Sequence, residues 1–175
     1  PDGSKLVRQY SFSAPPNSND IWLTIVHEPK GLVSGWFNET AAVGDAILVS
    51  RPFVGPLVQN SPRGEICIIA GGSGIAPLIA WVRMLRAQNR SFTLFYSTRS
   101  DELCFADELI PAQQEAITIR LTDTEPRYTA QEIVSKLTTS STVFICGSRP
   151  FVTTMRQYCE VIVPTERIYG EAFSL

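Results

Sequence analysis

The sequence of 175 residues predicts a mixed β and α/β protein, a β-rich N-terminal third followed by a unit in which strands and helices alternate. Up to about residue 60, apolar and polar residues alternate with a period of two. Beyond Gly64, continuous apolar runs alternate with segments of helical period. The Pro- and Gly-punctuated stretch "RPFVGPLVQNSPRGE" separates the two textures and places a boundary between residues 1–61 and 62–175.

In the first part, "KLVRQYSFS" and "IWLTIVHE" read as half-buried strands, and "AAVGDAILVSRPF" as a Gly-Asp turn leading into a third. Between the second and third lies "PKGLVSGWFNETAA", where Ser34 is placed to cap a short helix starting at Gly35. Three antiparallel strands are too few to close a barrel, so further strands are expected before Pro1. In the second part "EICIIA", "SFTLFYSTR", "AITIRLTD", "STVFICG" and "RIYGEAF" read as five strands. Helices are expected over "PLIAWVRMLRAQN", "FADELIPAQQE", "TAQEIVSKL" and "PFVTTMRQYCEVI", with Pro77 in a tolerated first-turn position. Buried strands alternating with helices predict βαβ units around a parallel sheet.

Composition narrows the function classes. With 18% charged residues and a net charge of −2 there is no basic surplus for nucleic acid. No apolar run reaches the length of a membrane span, and "PDGSKLVRQY" lacks the apolar core of a secretory signal. Cys67, Cys104, Cys146 and Cys159 form no CxxC pair and His27, the single histidine, is remote in sequence, so no metal site is expected. They read as reduced thiols of a cytoplasmic protein.

Four stretches carry candidate chemistry. "GGSGIAP" follows a strand and opens a helix, the setting in which backbone N–H groups receive a phosphate. Gly71, Gly72 and Gly74 allow positive φ and close approach, yet the spacing is not GxGxxG, and a tight βα turn accounts for the same residues. "RQYSFS" puts Arg8, Tyr10 and Phe12 on one strand face, an arginine fork beside a stacking ring; a solvated edge strand is the plainer account. "KGLVSGW" offers free N–H groups at Val33, Ser34 and Gly35, or only a helix cap. "CGSRPFVTTM" places Cys146 at a strand's carboxyl end, where open α/β sheets bind ligands; Cys146 also suits a small buried apolar position.

Taken in order, RQYS, GLVS, VGD, GGSGIAP, CGSRPFVTTM and YGEAF resemble the ferredoxin–NADP reductase superfamily. The nearest likeness is to the NADH-dependent reductase modules of flavohaemoglobins, oxygenase reductases and the hybrid-cluster-protein reductase. The resemblance runs over essentially the whole chain. It implies part of an antiparallel flavin-binding β-barrel followed by a parallel-sheet, Rossmann-like nucleotide-binding domain. It also implies hydride transfer from NADH or NADPH to FAD, with FMN as the alternative, and single-electron delivery to a redox protein or fused domain carrying [2Fe-2S] or haem. A flavin- or nucleotide-binding module without turnover would share the same fold.

Carried over to matching positions, the resemblance gives Arg8 to the flavin pyrophosphate and Tyr10 to the isoalloxazine, with Gln9 in the same set and Ser11 near flavin N5. His27 and Glu28 would lie by the flavin, and Gly31, Val33 and Ser34 would cradle its pyrophosphate. Gly72, Ser73, Gly74 and Pro77 would form the nicotinamide-nucleotide loop. Cys146, Gly147 and Met155 would border the nicotinamide, with Glu171 and Phe173 reaching back to the flavin; Ser11, Cys146 and Glu171 would be the catalytic set. Asp123 in "LTDTEP" replaces the family's phosphate-gripping arginine and favours NADH, whereas Arg99 after "FYST" would suit a 2′-phosphate. "SRPFVGPL" departs from the family's Gly-Pro-x-Gly turn, and no cysteine cluster for a plant-type [2Fe–2S] centre is present.

Overall fold

A computed structural model describes residues 5–14, 18–52, 64–111 and 116–173. The expected boundary at residues 61–62, and most of the "SRPFVGPL" turn, lie outside the described residues. The chain runs α1 (Leu32–Glu39), β1 (Ile66–Gly71), α2 (Ile75–Ala87), β2 (Thr93–Thr98), α3 (Ala106–Leu109), β3 (Ile117–Leu121), α4 (Ala130–Val134), β4 (Thr142–Ser148), α5 (Arg149–Cys159) and β5 (Ile168–Phe173). The five strands form one sheet in the order β3-β2-β1-β4-β5, and every pair is parallel.

Helices cover both faces, which is why β1 reads as an uninterrupted apolar run. Ile66, Ile68 and Ala70 point to one side, with Leu94, Tyr96, Phe144 and the α2 residues Leu78, Ile79 and Val82. Cys67 and Ile69 point to the other, with Phe95, Ile145 and the helical residues Ile133, Met155 and Cys159. Trp81 of α2 stacks on Phe144 at 4.8 Å, and Phe144 on Tyr169 at 5.5 Å, so three rings carry the first face across β4 to β5.

Departures from expectation concentrate in the first part. Instead of three strands, the described residues up to position 52 contain one isolated antiparallel bridge, Phe12 with Leu23, reinforced by the Ser13 N–H to the Trp22 carbonyl at 2.9 Å. A pair of strands is marginal without a third strand and an apolar face that is buried. Here Val7 is 77% and Leu48 90% exposed, so that buried face is lacking. Helix α1 starts at Leu32 rather than Gly35, and Gly31, not Ser34, is its N-cap. The Ser34 hydroxyl is folded back inside the first turn, accepting the Glu28 N–H (3.2 Å) and donating to the Gly31 carbonyl (3.3 Å). Helices α3 and α4 are shorter than their patterns, at four and five residues. Among the described residues, no helix is long and apolar enough to cross a membrane.

Candidate functional site

After β3 the chain crosses back over β1 to build β4, so the carboxyl ends of the neighbouring strands β1 and β4 flank a topological switch point. The glycine loop occupies that point as a 3₁₀ turn, Gly72–Gly74, leading directly into α2. Its glycines serve different ends. Gly72 has φ +53 and open space where a Cβ would stand. Gly74 packs so closely on the Cys146 carbonyl and the Gly147 nitrogen that any Cβ would collide with backbone. At Gly71 and Gly147 a Cβ would come within 2.8 Å of the Phe151 ring. Phe151, unremarked in the sequence, is thus the side chain that closes the loop against β4. Ser73 is exposed, and Pro77 lies half-buried in the first turn of α2.

Strand register pairs Cys146 with Glu171 and Ser148 with Phe173. Alternation then puts Glu171 and Phe173 on the face that Cys146 shares with α2. The Cys146 thiol is fully buried, and burial, helped by the Glu171 carboxylate, pushes it up to about 12. It is a neutral thiol throughout the physiological range. Met155 is not brought to this group: it projects from α5 into the opposite cluster, against Cys159 and Ile145. The α5 periodicity that keeps Val152 near Gly170 turns Met155 beneath the sheet.

At the ends of β2 and β3 the two nucleotide-selecting candidates are already engaged. Arg99 forks onto Asp101, Nε to Oδ1 at 3.1 Å and Nη2 to Oδ2 at 3.2 Å. Asp123 accepts the Ser100 N–H at 3.0 Å and the Ser100 hydroxyl. Those bonds from Ser100 are the main cause holding its carboxyl below the usual range.

The N-terminal candidates form a second group around α1. Tyr10 meets Phe37 edge-on at 6.2 Å, and partial burial raises its phenol against the lowering influence of Arg8. Arg8 and Gln9 are exposed and Ser11 half-buried; Arg8 donates to the neighbouring Val7 carbonyl at 2.8 Å. A cleft of about 370 Å³ runs along α1 past His27, Lys30, Gly31 and Trp36. His27 pairs with Glu39 at 2.9 Å, and Glu28 is exposed. The Gly35 N–H is spent on the Gly31 carbonyl at 2.7 Å, so the N–H groups left free at the helix start are those of Leu32, Val33 and Ser34.

A parallel sheet covered by helices on both faces, with a switch point between β1 and β4, defines the doubly wound class of fold, in which ligands bind at that point. No family model matches the chain. It is 26% identical over 185 residues to flavohemoprotein A of Dictyostelium discoideum, covering 95% of this chain and 47% of that protein. It is 27% identical over 179 residues to the ferredoxin reductase component of 3-ketosteroid-9-alpha-monooxygenase of Mycobacterium tuberculosis, covering 96% and 50%. Phthalate dioxygenase reductase, described as a modular structure for electron transfer from pyridine nucleotides to [2Fe-2S], superposes with a TM-score of 0.79 at 25% identity, covering 99% of this chain and 55% of that one. The chain belongs to the ferredoxin reductase-like superfamily. It spans about half the length, or less, of the curated relatives it matches.

Proposed function

We propose that this chain is the reductase module of a flavin-dependent NAD(P)H oxidoreductase, residues 1–61 contributing the C-terminal part of an FAD-binding antiparallel barrel and residues 62–175 the NAD(P)-binding domain. The observation that carries the reading is the glycine loop: a positive-φ Gly72 with open space above it, at the N-terminus of a helix of 13 residues and beside the Cys146–Glu171 pair. That arrangement fits a nucleotide pyrophosphate. When bound, the flavin supplies the conversion of a two-electron hydride into single electrons for an iron–sulfur or haem acceptor.

Within this reading each residue has a physical task. The Gly72–Gly74 backbone and the start of α2 receive the pyrophosphate of the nicotinamide nucleotide. Cys146, kept protonated by burial, walls the nicotinamide without adding charge, and Glu171 and Phe173 close the same side. Arg8 keeps donors for the flavin pyrophosphate, which the free N–H groups of Leu32, Val33 and Ser34 share; Tyr10 supports the isoalloxazine and Ser11 hydrogen-bonds to it. The nucleotide is NADH, because Arg99 is forked onto Asp101 and Asp123 adds a second carboxylate to the loop that a 2′-phosphate would enter. The names of relatives that are oxygenase reductase components or flavohemoproteins support an oxygenase or haem acceptor.

The test is rapid anaerobic mixing of the full-length FAD-loaded protein with NADH and, separately, NADPH, following loss of the oxidised flavin band. Fast bleaching by NADH and slow bleaching by NADPH is expected. Bleaching by neither, with flavin bound, would leave a binding module in place of the enzyme.

A further inference from the structure

Arg83, on α2, joins the two parts of the chain through several contacts at once. Its Nη1 donates to the Ser13 carbonyl. Its Nε and Nη2 fork onto the Glu108 carboxylate at 3.1 and 2.7 Å. Its guanidinium also lies 5.3 Å from the Trp22 ring centroid and 5.2 Å from that of Phe105. Ser13 and Trp22 are joined by the backbone hydrogen bond beside the Phe12–Leu23 bridge, whereas Glu108 and Phe105 belong to the α/β part. The side chain is 16% exposed, where a planar fork between rings is held far more firmly than a surface ion pair.

The receiving loop is shaped for this contact. Phe105 has φ +59, a left-handed conformation that a residue with a bulky side chain adopts at a cost. The turn starts α3 and brings Phe105 and Glu108 to the same guanidinium, the ring near the cation and the carboxylate on its N–H edge. Arg86 adds a second cation to the same carboxylate at 3.4 Å.

Arg83 also shares a rigid element with the glycine loop. It lies eight residues beyond Ile75, roughly 12 Å along the helix that the loop opens. Ser13 lies two residues beyond Ser11 on the same stretch of chain that carries Tyr10.

We propose that Arg83 is a positioning residue. It locks the Tyr10–Ser13 segment to the helix that begins at the glycine loop, and thereby sets how the flavin and nicotinamide rings approach each other. The proposal rests on the reductase reading above. Since misplacement by about 1 Å can cost about 100-fold in rate, the contact bears on turnover as well as on stability. Glu108 and Phe105 are positioning residues of the same clamp.

Two readouts test it, on full-length Arg83→Ala, Arg83→Lys and Glu108→Gln proteins. In flavin-free protein, amide exchange at Ser13 should accelerate about tenfold or more in Arg83→Ala, while Ile68 and Phe144 in the sheet keep wild-type protection. In FAD-loaded protein, the limiting rate of flavin reduction by NADH should fall roughly 10- to 100-fold, with the NADH concentration for half-saturation within about twofold of wild type, since the glycine loop is untouched. Arg83→Lys, which keeps the charge and loses the fork, should fall between wild type and Arg83→Ala. Wild-type rate and Ser13 exchange in Arg83→Ala would overturn the proposal, as would a rate loss matched by loss of bound flavin. Should Arg83→Ala expose the sheet amides as well, the lysine and glutamine variants decide by the same two criteria. If NADH fails to bleach even the wild-type flavin, the reductase reading fails first and takes the positioning role with it; the Ser13 exchange result would then mark only a structural tie.

Discussion

At the residue scale, neighbouring glycines answer to different forces, and substitution separates them. Gly74→Ala drives a methyl into the backbone of Cys146 and Gly147, which cannot move without breaking the β1–β4 register. Overpacking of this kind costs about 1–3 kcal/mol, so thermal unfolding should drop by several degrees. Gly72→Ala meets empty space and bears only the left-handed φ, about 1 kcal/mol. Its methyl instead stands where the phosphate is proposed to sit, and NADH affinity should weaken about tenfold, measured by titration. Equal stability losses with unchanged affinity would show that the whole loop is only a turn.

At the scale of the element, α4 shows how a helix of five residues persists. Thr129 and Glu132 form a reciprocal capping box: the Thr129 hydroxyl accepts the Glu132 N–H and the Glu132 carboxylate accepts the Thr129 N–H at 2.7 Å. Arg120 of β3 reaches the same carboxylate at 2.8 Å and lies over the Tyr128 ring. Arg120 first, then the two bonds from Thr129, hold the Glu132 carboxyl down to about 2 from an ordinary 4.5. A depressed carboxyl stabilises the fold above its unfolded value and loses that contribution as pH falls toward the folded one. The stability gap between wild type and Glu132→Gln should therefore be full at pH 7, shrink below 4.5 and close near pH 2, read by denaturant unfolding. Thr129→Ala should cost about 1 kcal/mol at neutral pH.

At the scale of the whole molecule, burying both faces of the sheet buries its thiols. Cys67 and Cys159 lie under one face and Cys146 under the other. Burial pushes Cys146 and Cys159 up to about 12 and raises Cys67 as well. In the unfolded chain these thiols ionise near 9.0. The folded state keeps their protons longer, so stability is whole below pH 9 and declines as pH rises from 9 toward 12. Tyr96 and Tyr128, raised chiefly by burial, steepen the decline above pH 10. Melting temperatures should be level from pH 7 to 8.5 and fall by pH 10.5, and Cys159→Ala should flatten the fall. A melting curve indifferent to pH 10.5 would contradict the burial that the sheet imposes.

The five strands and the helices between them were legible in the sequence because a sheet covered on both faces demands unbroken apolar runs, as "EICIIA" and "STVFICG" show. The glycine turn followed, since the strand–glycine–helix order of "GGSGIAP" uses only neighbours in the chain, whereas the switch point it occupies is set by the strand order of the sheet. Local pattern misplaced what depends on partners. Alternation in "KLVRQYSFS" and "AILVSRP" satisfies a strand's own period but supplies no ladder, and among the described residues of this part a single bridge forms. Ser34 looked like a cap because serine suits that position, yet its hydroxyl turned inward to Glu28 and Gly31. Met155 shares a helix with the "CGSRPF" turn, but that helix packs on the face of the sheet opposite to Cys146. Arg83 bore no motif at all: residues 13, 22, 105 and 108 meet it only through tertiary packing. By itself the sequence determined the periodic elements and the glycine turn, whose causes are local sterics and apolar patterning. The tertiary structure alone decided which faces meet and which charges are already paired, because those depend on groups far apart along the chain.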